Sequence, residues 1–216
     1  MSVKDVLKWW RDFLKGNWLK LQTMAFPHTP QLDFPLDDYK VNGDGFLEDC
    51  TFDGVYWGLH LGEDSNIPAG TKVKAIGRGR VVCSAPHLGK VVKEKDEAKL
   101  QRNWGNIIII AHKNPKTRKV FCSIYGHLQK RLKKKGDRVE IGEIIGTIAR
   151  ANTPENGLWE ESHLHFAIYI GPYPWIRLDK KGRLLTILPG YFKKEKPLTR
   201  LQWWDNPTDF LKKYPY

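Results

Sequence analysis

Four of the seven histidines and one aspartate are the side chains best placed to do chemistry. In GLHLGED, residues 58 to 64, His60 and Asp64 lie four apart with Gly62 between them. In an extended segment, residues an even number apart share a face, so both side chains aim at one point. Gly62 removes a side chain from that face, which leaves room for an ion. In SHLHF, residues 162 to 166, His163 and His165 alternate with Leu164 and Phe166. The following Ala167, Ile168 and Tyr169 favour a strand, which puts both imidazoles on one face. An exposed strand shows the same alternation, so this pair alone does not define a metal site. IYGHL, residues 124 to 128, ends a β-prone run on His127, a lone histidine that by itself reads as readily structural. His28, His87 and His112 have no distinguishing setting and read as structural.

Taken together the pieces say more. His60, Asp64 and His165 supply two imidazoles and a carboxylate, the three protein ligands of a catalytic zinc ion with a fourth position open to water. Zinc lowers the pKa of bound water to roughly 7, which makes hydroxide available near neutrality. His127 and His163 are then left to act on that water and on a developing oxyanion.

The elements that must position these residues are mostly strands. Thr71 to Ala75, Arg80 to Cys83, Lys90 to Val92, Asn106 to His112, Val120 to Tyr125, Arg138 to Ile141, Ile144 to Ala149 and Leu164 to Ile170 are short β-prone runs, most of them separated by Gly, Pro or charged turns. Many short strands with little helical periodicity predict a mainly β fold, a compact antiparallel sandwich or barrel-like domain. Before it, Val3, Val6, Leu7, Trp10, Phe13 and Leu14 recur at helical spacing, with Ser2 and Asp5 as a capping pair. The polar face of this short N-terminal helix is basic and suits a membrane surface; docking on its own domain is the plainer reading. Residues 26 to 53, rich in Pro, Asp and Gly, form an irregular wrap. Asp44-Gly45 lacks the ligand spacing and closing Glu of a calcium loop. From Tyr173 an aromatic and basic extension packs on the core, with a strand near Leu185 to Leu188 and a short helix over Pro207 to Lys212. The expected organisation is thus 1–53, a core over 54–172, and 173–216.

Composition narrows the partners. The formal net charge of +12 favours a polyanion, whether nucleic acid, acidic membrane or an anionic wall polymer. Nucleic acid is not indicated, because no helix-turn-helix or zinc-finger pattern occurs. Cys50, Cys83 and Cys122 form no CxxC pair and read as small buried hydrophobes. No stretch has the length of a transmembrane span, and charges at Asp5, Lys8, Arg11 and Asp12 interrupt any signal-like apolar region.

HLGED, YGHL and HLHF, in this order, resemble the lysostaphin- and LytM-type zinc metallopeptidases, whose signature is HxxxD followed by HxH. The resemblance covers about residues 54 to 172 and includes PAGTKVKAIGRGRVV, GNIIIIAH and KKGDRVEIGEIIG; NPTDFL also looks like the usual ending of the family. It implies a LytM-type β domain with Zn2+ held by His60, Asp64 and His165, His163 as general base, and His127 as oxyanion stabiliser or partner in proton transfer. It also implies peptide cross-links of peptidoglycan as substrate, and action in the cell envelope or outside the cell. Glu63 departs from the family pattern, where an apolar residue is usual; it is read as pointing to solvent. The charged run 93 to 103 is a second departure. A rival reading on the same scaffold is a non-catalytic regulator or activator of another wall hydrolase. A lipoyl- or biotinyl-type carrier, suggested by KKGDRVEIGEIIG, lacks the lysine at a hairpin tip.

Overall fold

The computed structural model describes residues 26–87, 89, 91–94, 97–171, 176–186, 188–193 and 198–216. The expected N-terminal helix lies outside the described residues. In chain order the strands are β1 (Asp49–Phe52), β2 (Val55–His60), β3 (Glu63–Asn66), β4 (Lys72–Lys74), β5 (Gly79–Pro86), β6 (Val91–Glu94), β7 (Glu97–Leu100), β8 (Asn106–Lys113), β9 (Val120–Tyr125), β10 (Leu128–Arg131), β11 (Arg138–Val139), β12 (Ile144–Ile148), β13 (His163–Tyr169), β14 (Arg177–Leu178), β15 (Leu184–Thr186), β16 (Tyr191–Phe192) and β17 (Trp204–Asp205). A 3-10 helix, Leu198–Trp203, precedes β17, and the helix α1 is Pro207–Lys212, where Pro, Thr and Asp predict it.

A seven-stranded antiparallel sheet runs β11-β5-β8-β9-β13-β17, with β3 also paired to β13. It stays open at β11 and β17, so the fold is a layered β architecture and no barrel closes. Successive side chains of a strand face opposite sides, so the central β8 and β9, covered on both sides, read as nearly continuous apolar runs. Ile108 and Ile110 of β8 join one core with Val73, Ile145, Ile148, Leu164 and Phe166, beneath the three-stranded sheet β10-β12-β4. Ile107 and Ile109 face the other way, into a second core with Val82, Ile124, Ala167, Leu61 and Phe192. Leu61 follows β2 and Phe192 belongs to β16, two members of the third sheet, β1-β2-β16, so residues late in the chain help cover this side.

Both faces of the central sheet are therefore buried, and the polar residues of β13 cannot reach open solvent by alternation alone. Cys50, Cys83 and Cys122 are free and buried, as their reading as small hydrophobes requires. Among the described residues no helix is long and apolar enough to cross a membrane.

Candidate metal centre

The pairing of β3 with β13 sets Asp64 directly opposite His165, and Asn66 opposite His163. His60 comes from the end of β2, where it pairs with Tyr191 of β16. His60 and Asp64 do not share one extended segment, as their even spacing suggests. The chain bends at Leu61 and Gly62, and the two residues belong to different sheets that meet there. Gly62 leaves room for a ring rather than an ion: a Cβ at this position would lie 2.6 Å from His165 Nε2 and 2.7 Å from the Phe166 carbonyl.

His60 Nε2 lies 2.9 Å from His165 Nδ1 and 3.5 Å from Asp64 Oδ1, and His165 Nδ1 lies 3.0 Å from the same oxygen. A tetrahedral zinc ion with bonds of about 2.0–2.1 Å holds N and O donors roughly 3.3 Å apart, so the triangle has the size such an ion needs. Protonation supports the fit. His60 Nδ1 is 3.2 Å from the Gly45 carbonyl, an acceptor only, which assigns the ring proton to Nδ1 and leaves a lone pair on Nε2. Asp64 Oδ1 is buried with no hydrogen-bond partner. The His60 lone pair and this carboxylate oxygen repel each other unless a proton or a cation intervenes, and one metal ion would satisfy all three donor atoms at once.

The two remaining histidines flank this triangle. His163 Nε2 is 3.9 Å from Asp64 Oδ2, and its Nδ1 lies 3.0 Å from the Glu161 carbonyl. His127 Nδ1 donates to the Asn156 carbonyl at 2.7 Å. These carbonyls select the Nδ1–H tautomer of each neutral ring and turn Nε2 towards the triangle side, with the ring centroids 4.3 Å apart. His127 adopts a positive φ of 63°, a strained conformation for a residue with a side chain. The Gly126 and His127 amides are tied to the His165 and Trp104 carbonyls, which hold it there.

Electrostatics follow from this crowding. Burial pushes the Asp64 carboxyl up, but His60 and His165, with a smaller contribution from His163, outweigh it and the net shift is downward. Burial lowers the His60 pKa, and burial followed by His163 and His165 holds His127 well below the ordinary imidazole range. His127, held neutral with its Nδ1 proton committed to the Asn156 carbonyl, therefore presents Nε2 as a proton acceptor.

Several residues at the site carry no sequence signal of their own. Trp104 meets the His165 ring edge to face at 4.6 Å, and Tyr191 covers His60 with ring centroids 5.3 Å apart. Tyr191 reaches the site because Gly190 accepts the Leu61 amide and β16 extends β2. A groove of about 560 Å³ opens at His127 and His165 between Trp57, Arg102, Trp159 and Tyr191. Arg102 lies over the Phe52 and Trp159 rings and pairs with Glu160 and Asp53, joining three loops along one wall. The only advance signal for this wall is the density of aromatic residues. His87 lines the same groove, whereas His28 and His112 lie outside it; His112 is buried between Ser123 and the Arg78 carbonyl. Glu63 does not point to solvent. It is 3% exposed and accepts hydrogen bonds from Tyr39 and Thr208.

The family model described as Peptidase family M23 matches residues 58–175, more than half of the chain. Among solved structures, the antimicrobial peptidase lysostaphin from Staphylococcus simulans is 22% identical, with a TM-score of 0.53 over 88% of this chain and 57% of that one. The solution structure of lysostaphin is 23% identical, with a TM-score of 0.50 over 86% and 54%. A zinc-containing peptidase from Vibrio cholerae is 26% identical over 62% and 35%, with a TM-score of 0.46. The lysostaphin matches show the fold, and this chain spans little more than half the length of either of those chains. No curated protein matches the chain.

Proposed function

The chain belongs to peptidase family M23, and from that premise we propose that it is a zinc-dependent endopeptidase that hydrolyses peptide cross-links of bacterial peptidoglycan. The observation that carries the reading is the convergence of His60, Asp64 and His165, whose ligand atoms all lie within 4.8 Å of one another. His60 Nε2, the Asp64 carboxylate and His165 Nδ1 would hold the ion. When bound, zinc supplies Lewis acidity and a water acidic enough to be deprotonated near neutrality.

The remaining steps fall to side chains of this chain. His163 takes the proton of the attacking water on Nε2, while the Glu161 carbonyl fixes its Nδ1–H and thus its tautomer. His127, fixed in the same way by Asn156, is the second proton site. In its charged form it faces the oxyanion or passes a proton to the leaving amine. The groove walled by Trp57, Trp159 and Tyr191 orients an extended peptide and excludes water from one side.

The same reading assigns residues 54–172 as the catalytic core, with 1–53 and 173–216 as its wrap and extension. It places the protein in the cell envelope or outside the cell, where its substrate lies.

The test is digestion of purified peptidoglycan by zinc-loaded protein, with mass analysis of the fragments. New peptide termini without glycan scission are expected, abolished by a chelator and by His165→Ala. Glycan cleavage, or equal activity in the variant, would overturn the reading. Zinc bound without turnover, together with stimulation of a separate amidase, would mark a regulator instead.

A further inference from the structure

Glu63 has no part in the hydrolysis just described, yet it lies one residue before Asp64 and is almost fully buried. Adjacent residues of a strand project to opposite faces, so Glu63 leaves β3 on the side away from the metal triangle. Its Oε2 accepts three hydrogen bonds, from Tyr39 Oη at 2.7 Å, Thr208 Oγ1 at 2.7 Å and Thr208 N at 3.1 Å. All three donors are neutral. A buried carboxylate without a cation is costly and persists only when its acceptors are well filled.

The donors come from segments remote in sequence from β3. Tyr39 belongs to the wrap that precedes β1; its ring stacks on Phe34 and meets Phe166 edge-on, and Phe166 is the cross-strand partner of Glu63. Thr208 is the second residue of α1, whose Pro207, Phe210 and Leu211 are buried. Its amide is one of the first-turn donors that a helix cannot satisfy internally. One carboxylate oxygen therefore joins the wrap, β3 and α1 directly behind the metal triangle.

β3 needs such an anchor. It has four residues, Glu, Asp, Ser and Asn, and no apolar side chain of its own to hold it in a core. We infer that Glu63 is a positioning residue for the metal centre: with Tyr39 and Thr208 as anchors, it fixes β3 so that the Asp64 carboxylate meets His60 and His165. The inference rests on the zinc reading above.

It is tested by zinc affinity, measured by competition with a chromophoric chelator, alongside the thermal midpoint of the metal-free protein. Groups that orient metal ligands change affinity by about 10- to 100-fold when removed. Glu63→Leu is expected to weaken zinc binding within that range, with a smaller loss for Glu63→Gln. Thr208→Val should weaken it in the wild-type background and add nothing in Glu63→Leu, the mark of a shared interaction. Unchanged zinc affinity in folded variants, even with a lowered midpoint, would reduce Glu63 to a strut and overturn the inference alone. Absence of zinc binding by the wild-type protein would overturn it together with the metallopeptidase reading. Should Glu63→Leu fail to fold, Tyr39→Phe and Thr208→Val carry the same decision.

Discussion

At the scale of single residues, burial sets what each histidine can do. His112 lies outside the metal site, fully buried, with Nδ1 3.0 Å from the Arg78 carbonyl and Nε2 2.7 Å from Ser123 Oγ. Burial lowers its pKa from 6.5 to about 4, partly offset by the bond to Arg78. The folded protein therefore resists a proton that the unfolded chain accepts. Its contribution is unaffected above pH 6.5 and is lost as the pH falls from there towards 4, by about 3 kcal/mol for the full window. His112→Gln keeps one donor and one acceptor without the titration. Urea unfolding in chelator at pH 7 and pH 4.5 should show a loss of stability smaller by about 2–3 kcal/mol in the variant than in the wild type. Parallel losses in the two proteins would refute this account. The same logic explains what single residues disclose in a sequence. His60, Asp64, His163 and His165 were legible as types at fixed spacing. Tautomers, and the carbonyls of Gly45, Asn156 and Glu161 that set them, depend on which loops meet, and no spacing encodes that.

At the scale of elements, the central strands were legible, β8 and β9 from their apolar and β-branched runs and β13 from the alternation of His163 and His165 with Leu164 and Phe166, and all three lie where the sequence predicts them. β3 was not, because hydrophobic periodicity cannot register a strand made only of polar residues. Its burial follows from satisfied hydrogen bonds, Ser65 to the Lys40 carbonyl and Glu63 to Tyr39 and Thr208, rather than from apolar area. The alternation rule consequently sent Glu63 outward, when wrap and helix cover that face. A second element, the loop over residues 150 to 162, orients both flanking histidines through Asn156 and Glu161 without contributing to the metal triangle. Its geometry turns on Gly157, at φ +76°, where a Cβ would stand 2.0 Å from the Asn103 carbonyl. Gly157→Ala must displace the loop. Zinc stoichiometry should stay at the wild-type value, whereas kcat should fall on the order of 10²-fold, since small displacements of positioned groups cost that much. Loss of zinc in a folded variant would show instead that loop and triangle are one unit.

At the scale of the whole molecule, the formal net charge of +12 is a property no single site accounts for. Part of it sits in arrangements that do not favour the isolated fold. Arg80 of β5 and Arg138 of β11 stand directly opposite each other, and like charges in cross-strand positions repel. An anion against that sheet edge relieves the repulsion, and a wall polymer carrying regularly spaced negative groups would gain from the wider field as well. Exposed charges a Debye length apart, about 10 Å at 0.1 M salt, are largely screened, so binding of this origin weakens steeply with ionic strength. Co-sedimentation with cell walls that retain their anionic polymers should therefore fall several-fold between about 50 mM and 300 mM salt. Walls stripped of those polymers should retain less protein at low salt, and Arg138→Glu should lower retention on intact walls while hydrolysis of a short soluble peptide stays unchanged. The two measurements separate charge from catalysis, because a short soluble peptide carries none of the polymer's negative groups. Retention indifferent to salt would mean that the aromatic groove alone recruits the substrate, and the excess of lysine and arginine would then need another partner.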